Sequence, residues 1–278
     1  MTGEETPAPG GTASKAAPLP FDISTAHQAR MYDYVLGGKD NYAADRAAVE
    51  EWAKVDPGIV FTARANRAFL GRVVRYLTAE AGIRQFLDIG TGIPTAGNTH
   101  QVAQAIAPES RVAYADYDPV VLAHARALLD SHEAGATGYI DADLRDTATI
   151  LEQAAELLDL TRPVAVTLLA ILHVIPDADD PHAVVGKLLG AVPAGSYLAL
   201  SHLGADLLDP GRQEGVKGVA GRMIQQMPTY RSREQVGRFF DGTDLIAPGL
   251  VRVEEWRPDP GGGEAGRSSL WSGAGRKR

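Results

Sequence analysis

The chain has 278 residues, a length that suits one large α/β domain or a domain with a smaller helical attachment. Its composition, 45% hydrophobic and 22% charged, is ordinary for a globular protein. It has no cysteine, which excludes disulfides, thiolate metal sites and thiol nucleophiles and suits a cytoplasmic protein. The net charge of −8 argues against a nucleic-acid substrate, because neutralising phosphates requires a clustered basic surface.

The N-terminal segment, residues 1–20, is rich in Pro, Gly, Ala and Thr and has few large apolar side chains. It lacks the apolar core of a signal peptide, and no later run is long enough to span a membrane. We therefore expect a disordered tail and no membrane partner.

Residues 21–82 have a helical pattern and predict an N-terminal helical cap. The pattern predicts helices over residues 29–36, 42–54 and 58–81. Gly37-Gly38 stops the first, Pro57 limits the second, and Gly82 stands where a helix C-cap is expected.

From residue 83 onward, strand patterns alternate with helix patterns, which predicts a Rossmann-like domain over residues 83–278. Asn98 with Gln101 forms a capping box, and Asp118-Pro119 is a helix start. The predicted strands are residues 84–89, 111–115, 137–141, 164–169 and 195–201, and the predicted helices between them are residues 99–107, 120–129, 147–158 and 182–189.

The C-terminal part departs from this alternation. Ser232 with Gln235 opens a helix through residue 240, and two strands follow over residues 250–256 and 269–275 with no helix between them, so they should pair antiparallel. The fold class is therefore a three-layer α/β sandwich with a mostly parallel seven-stranded sheet ending in an antiparallel pair. This layout is typical of methyltransferases rather than of dehydrogenases.

The turn after the first strand, Asp88-Ile89-Gly90-Thr91-Gly92, is a candidate cofactor-binding loop, because glycines allow a sharp turn and close approach of backbone N–H groups to a ligand. Alone this is a weak signal. A dinucleotide site would have a third small residue at Thr95, after Pro94, so the turn favours S-adenosylmethionine over a nicotinamide cofactor.

Asp116, at the end of the second strand, is a candidate for binding both ribose hydroxyls, and Tyr117 for packing on adenine. Such a carboxylate serves NAD and S-adenosylmethionine equally. Helix capping accounts for Asp118. Asp143, after the third strand, is a candidate for the adenine amino group, with Asp141 and Asp146 as alternatives.

The turn after the fourth strand, Ala170 to His173, should lie beside the reactive end of the cofactor. His173 is a candidate general base, and a histidine that only packs or binds backbone is an equal alternative. The seven histidines show no spacing of metal ligands, so no metal is expected.

Four stretches resemble the actinobacterial S-adenosyl methyltransferase family: ARMYDYVLGGKDNY (residues 29–42), QFLDIGTGIPT (85–95), RSRE (231–234) and FFDG (239–242). The likeness covers nearly everything after Phe21. It implies a class I methyltransferase fold and S-adenosylmethionine as cofactor, while the substrate of the family as a whole is not established.

The resemblance draws attention to polar and glycine residues of the N-terminal helices. They suit either a lid over the cofactor, with Arg30 or Arg67 binding the methionine carboxylate, or a helix end with a capped turn. They are Arg30, Tyr32, Asp33, Gly37, Gly38, Asn41 and Tyr42. A segment inserted after the fifth strand, residues 204–230, is expected to supply substrate contacts through Met223 and Met227, or else to form a surface helix.

Together these features predict a cytoplasmic S-adenosylmethionine-dependent methyltransferase that acts on a small molecule. One alternative is a protein that binds the cofactor as a sensor without turnover. A nicotinamide-dependent oxidoreductase is disfavoured by the missing third glycine and the antiparallel C-terminal strands. The sequence does not indicate the oligomeric state.

Overall fold

The structure is a computed structural model that describes residues 22–128, 131–224, 227–261 and 266–278, with residues 125–128 described by their backbone alone. The predicted disordered tail over residues 1–20 lies outside these ranges. Among the described residues, no helix has both the length and the apolar composition that a bilayer span requires.

The N-terminal part forms the three helices that its periodicity predicts: α1 (Gln28–Val35), α2 (Ala43–Val55) and α3 (Ile59–Ala79). The turn after α1 is built around Asp33, whose carboxylate accepts hydrogen bonds from Asp40 N and Asn41 Nδ2. A Cβ on Gly38 would collide with that carboxylate. Asp33, Gly38 and Asn41 thus form the capped turn that was one of the two sequence interpretations.

The remaining elements form an eight-stranded sheet and the helices that connect its strands. The strand order is β3-β2-β1-β4-β5-β8-β6, and β7 also pairs with β8. Strands β1 to β5 pair in parallel, and β8 runs antiparallel to its neighbours. The strands are β1 (Gln85–Ile89), β2 (Arg111–Asp116), β3 (Ala136–Asp141), β4 (Ala165–Leu169), β5 (Tyr197–Leu203), β6 (Thr243–Leu245), β7 (Val251–Arg252) and β8 (Leu270–Lys277). The helices are α4 (Thr99–Gln104), α5 (Pro119–Leu128), α6 (Thr147–Ala154), α7 (Pro181–Gly190), α8 (Pro210–Met223) and α9 (Arg233–Gly237).

Helices cover both faces of the sheet. Successive side chains of a strand point to opposite faces, so neighbouring residues pack on different helices. On β1, Phe86 belongs to the apolar cluster that contains Phe69 and Val73 of α3. The next residue, Leu87, belongs to the other cluster, with Leu188 of α7. The predicted three-layer α/β arrangement is confirmed.

The C-terminal strands differ from the prediction. Only residues 251–252 of the predicted strand 250–256 form a strand, and a 3₁₀ helix, Val253–Glu255, follows. Arg72 of α3 donates hydrogen bonds to the carbonyl oxygens of Val253 and Trp256, and the Trp256 ring is fully buried beside Phe69. These contacts with α3 turn the chain out of the sheet, and the unforeseen short strand β6 takes the edge beside β8.

Helix α8, from the inserted segment, packs on the N-terminal helices. Val216 and Val219 of α8 share an apolar cluster with Met31, Val49 and Trp52 of α1 and α2. The inserted segment and the first two helices therefore form one packed unit, which we call the cap (α1, α2 and α8).

Candidate functional site

A deep cleft lies at the carboxyl ends of β1, β2 and β4 and is bounded on its other side by residues of α1, α2 and α3. This is where the topology of an open α/β sheet places a ligand. The cleft brings together seven of the nine predicted site residues: Asp88, Gly90, Gly92, Asp116, Tyr117, Ala170 and His173.

The first turn depends on its glycines. Gly90 has φ of +73° and Gly92 has φ of +64°, in the left-handed region that disfavours side chains. A Cβ on Gly90 would also collide with the side chain of Ile171, from the turn after β4. The two strand-end turns therefore touch each other, and glycine allows this close approach.

Asp88 holds the turn in place. Its carboxylate accepts hydrogen bonds of 2.6 Å from the hydroxyls of Thr99, at the start of α4, and Thr167, on β4. Burial raises the pKa of this carboxyl group, against the effect of the two hydroxyl donors. Asp88 thus ties three elements together at the wall of the cleft.

Asp116 lies at the end of β2, and its side chain has an acceptor position left on each oxygen. Oδ2 accepts a hydrogen bond from Gly92 N and Oδ1 from Asp118 N, both at 3.0 Å. A carboxylate oxygen has two lone pairs, so each can accept one more donor from the cleft. Burial raises the pKa of Asp116, and the two backbone donors oppose that effect.

The two residues after Asp116 contact the start of α1. The Tyr117 ring meets His27 edge to face at 5.9 Å. Asp118 Oδ1 accepts the helix-capping bond from Val120 N, as predicted, and its Oδ2 lies 2.6 Å from His27 Nδ1. Burial would raise the pKa of Asp118, but the hydrogen bond and charge of His27 lower it overall. Asp118 therefore both caps α5 and contacts His27.

The turn after β4 has a strained backbone. Ala170 has φ of +53°, and its N–H bonds to the carbonyl and hydroxyl oxygens of Ser201 on β5. His173 follows in a 3₁₀ helix, Leu172–Val174, and is 8% exposed. Its Nδ1 is buried without a hydrogen-bond partner among the described residues. Burial, with the nearby charge of Arg231, lowers the pKa of His173 to about 4.

Behind this turn lies Arg231, which is 1% exposed. Its guanidinium donates hydrogen bonds to the carbonyl oxygens of Leu172 and Ile175, on either side of His173. It also donates to His202 Nε2 at 2.7 Å. Since arginine is only a donor, the proton of His202 is on Nδ1, which lies 2.8 Å from the Leu203 carbonyl oxygen. Arg231 therefore fixes the turn that carries His173.

Two predicted site residues, Arg30 and Asp143, do not line the cleft. Arg30 is buried, and its guanidinium donates to Asp45 Oδ1 and to the carbonyl oxygens of Asp22 and Thr25. It joins the segments on either side of α1 instead of facing a ligand. Arg67, the other candidate for a carboxylate, does line the cleft, and its Nη2 is bound to the loop before α4.

Asp143 lies outside the cleft lining, where both carboxylate oxygens accept hydrogen bonds from the Arg145 guanidinium.

The inserted segment also lies outside the cleft: none of the described residues in 204–230 lines it. Met223 packs in the cap, and Met227 is 46% exposed. The described part of this segment fits the surface-helix interpretation.

Several lining residues were not singled out from the sequence. Asn66 of α3 accepts a 2.6 Å hydrogen bond from Ser201 and donates to the hydroxyl of Tyr32. Tyr139 of β3 stacks on Tyr114 of β2 at 5.2 Å. The signal for Asn66 was present, since it is a polar residue on the apolar stripe of α3.

A model of the S-adenosyl methyltransferase family matches residues 14–278 of the chain. The chain belongs to this family. It is similar to the crystal structure of a DUF574 family protein from Streptomyces avermitilis, at 42% identity and a TM-score of 0.88, over 92% of this chain and 99% of that one. It is also similar to a provisionally named methyltransferase from Thermobifida fusca, at 39% identity and a TM-score of 0.84, over 95% and 100% of the two chains.

A methyltransferase from Anabaena variabilis that depends on S-adenosylmethionine shares the fold, at 15% identity and a TM-score of 0.52, over 84% of this chain and 95% of that one. No curated protein matches the chain significantly. As a member of the S-adenosyl methyltransferase family, the chain is a methyltransferase whose cofactor is S-adenosylmethionine. This settles the choice between two cofactors that Asp116 left open.

The residues of the cleft fit this cofactor. The free acceptor positions of Asp116 suit two adjacent ribose hydroxyls, and the Gly90 turn gives backbone access without a side chain. Within the described ranges, no three His, Cys, Asp or Glu side chains are grouped as they would be around a metal ion.

Proposed function

We propose that this methyltransferase binds S-adenosylmethionine in the cleft with Asp116 on the ribose, and transfers the methyl group to a small-molecule acceptor. The observation that supports the proposal best is Asp116, a buried carboxylate with one free acceptor position on each oxygen, next to the Gly90 turn. Each charge-assisted bond to a hydroxyl contributes about 1.5–3 kcal/mol.

Other cofactor contacts are part of the proposal. We assign Tyr117, which lines the cleft, to adenine, and Arg67 instead of Arg30 to the methionine carboxylate, because Arg30 has its donors bound elsewhere. A contact between Asp143 and the adenine amino group stays a prediction. It requires Asp143 to leave Arg145 and turn toward the cleft.

S-adenosylmethionine supplies a methyl group already activated by its sulfonium, so the chain must position the acceptor and exclude water. We assign the orientation of the acceptor to His173, which lines the cleft and whose buried Nδ1 has no hydrogen-bond partner among the described residues. Because burial lowers its pKa to about 4, the imidazole is neutral at pH 7 and a weak base. We therefore assign it a hydrogen bond to the acceptor's O–H or N–H and not the role of general base, so the proton that the acceptor loses on methylation passes to bulk water.

The N-terminal region, residues 21–82, is proposed to act as a lid together with α8. The contact of His27 with Asp118 and Tyr117 joins α1 to the strand-end turn beside Asp116, where a lid would close over the cofactor. A cytoplasmic location and an actinobacterial origin complete the proposal. They rest on the cysteine-free composition and on the sources of the two similar structures.

A thermal-shift panel tests the proposal. S-adenosylmethionine and S-adenosylhomocysteine at 100 times their Kd should stabilise the folded state by about 2.7 kcal/mol, which raises Tm by several degrees in a chain of this size. NAD should have no effect. A Tm shift with NAD and none with either sulfur compound would disprove the proposed cofactor site.

A further inference from the structure

The cleft has two ends of different character. The charged side chains Arg67, Asp88 and Asp116 line the end at the strand termini, where the cofactor is proposed to bind. The other end is bounded by α1, α2 and the lining residues of α3 other than Arg67, and we call it the acceptor chamber. Among the described residues, no Asp, Glu, Lys or Arg lines it. Its apolar walls include Met31, Val35, Val49, Trp52, Ile59 and Leu270.

Most polar side chains of the acceptor chamber are already bound to the protein. The Tyr32 hydroxyl donates to the Ala63 carbonyl oxygen at 3.0 Å and accepts from Asn66 Nδ2 at 3.1 Å. Asn66 Oδ1 accepts from Ser201 Oγ, and Thr62 Oγ1 accepts from the backbone N–H of Ser269. This network joins α1, α3 and β5 and needs no ligand to complete it.

Two buried groups of the acceptor chamber are exceptions. Trp52 Nε1 and His173 Nδ1 have no hydrogen-bond partner among the described residues, and both side chains are more than nine-tenths buried. A buried polar atom without a partner is costly, so a native structure usually pairs it. A ligand with few polar atoms could satisfy them, and the Trp52 and Tyr32 rings offer flat apolar surfaces for packing.

We propose that the acceptor is a neutral aromatic molecule with a hydroxyl group, a phenol in its simplest form, held in the acceptor chamber. The inference rests on the proposed function, because the chamber adjoins the cofactor end of the same cleft. The chamber disfavours a charged acceptor, because a charge among apolar walls loses its hydration and meets no oppositely charged side chain of the chamber. Neutral His173 is the partner for the hydroxyl group.

Two probes with the same ring system test the inference by calorimetry at pH 7.5: 2-naphthol, which is neutral, and 2-naphthoate, which is anionic. Both are titrated with and without saturating S-adenosylhomocysteine, whose own affinity is measured first. We expect 2-naphthol to bind at least about tenfold more tightly, since a chamber without cations gives the carboxylate no partner. Equal affinity, tighter binding of 2-naphthoate, or binding of neither probe overturns the inference.

A pair of variants on α3 locates the binding site. Ala63→Phe fills the chamber, and its side chain takes no part in the bond from Tyr32 to the Ala63 backbone. Ala68→Phe makes the same change at an exposed position of the same helix. We expect Ala63→Phe to weaken 2-naphthol binding at least about tenfold, with S-adenosylhomocysteine affinity retained, and Ala68→Phe to change neither.

Unchanged 2-naphthol binding in Ala63→Phe overturns the inference, because the probe then binds elsewhere. If Ala63→Phe does not fold, the comparison of the two probes on the unmodified protein decides alone. Failure of S-adenosylhomocysteine to bind the unmodified protein contradicts the proposed function instead, which separates the two claims.

Discussion

Stability in acid should depend on His173, because its imidazole is buried in neutral form. Its pKa is about 4 in the folded protein, against an ordinary value of 6.5. Between these two pH values the unfolded chain binds a proton at this residue and the folded chain does not. Stability therefore rises with pH across this window and is lost as pH falls through it.

The magnitude follows from the two pKa values. They differ by about 2.5, and at 1.36 kcal/mol for each pH unit the loss between pH 7.5 and pH 4 is about 3 kcal/mol. In His173→Asn this contribution is absent. Between pH 7.5 and pH 4 its free energy of unfolding should therefore fall by about 3 kcal/mol less than that of the unmodified protein. His202, whose pKa burial also lowers, is present in both proteins and contributes to both.

Urea unfolding followed by circular dichroism at pH 7.5, 6, 5 and 4 gives the free energies directly. His132→Asn is the matched control, because it removes an exposed histidine and leaves the buried His173 and His202 in place. Its pH dependence should follow that of the unmodified protein within about 0.5 kcal/mol. Equal acid sensitivity of His173→Asn and the unmodified protein would refute the assignment of His173 as a buried neutral group.

Two further substitutions test the turns around the cleft. Gly90→Ala should destabilise the protein by about 1–3 kcal/mol and weaken cofactor binding, because Gly90 has a positive φ and a Cβ there collides with Ile171. The control, Gly186→Ala in an exposed turn of α7, should be neutral or stabilising. Equal melting temperatures for the two variants would contradict this. Arg231→Met should lower the free energy of unfolding by about 3 kcal/mol or more, since it leaves buried carbonyl groups without donors. Asp177→Asn changes its exposed ion-pair partner and should cost less than about 1 kcal/mol, measured by the same urea titration.

The features that the sequence predicts correctly are determined by neighbouring residues. The capping box Asn98/Gln101 forms as expected, and Ser232 with Gln235 opens a helix as expected, because each pattern needs only three residues of helix. Asp118 also caps its helix as predicted. The buried strands were found for a similar reason, since a fully apolar run between turn residues has few alternatives.

The features that were missed depend on contacts between distant segments. Arg30 is paired with Asp45, and the inserted segment packs on α2; neither contact leaves a local trace in the sequence. Strand β6 is three residues long, and two of them are exposed, so its pattern is too short to recognise. Trp256 ends the strand at residues 251–252 through packing on α3, which strand propensity alone does not reveal.

Calorimetry of S-adenosylhomocysteine is the direct test of Asp116 as the residue that binds the cofactor ribose. We expect binding to the unmodified protein and a loss of at least about 100-fold in Asp116→Asn, the effect of two charge-assisted hydrogen bonds of about 1.5–3 kcal/mol each. Asp141→Asn is the control, because Asp141 is the register partner of Asp116 on β3, is exposed and lies outside the cleft. Its affinity should match that of the unmodified protein. Equal affinities in all three proteins, each folded by circular dichroism, would contradict the claim.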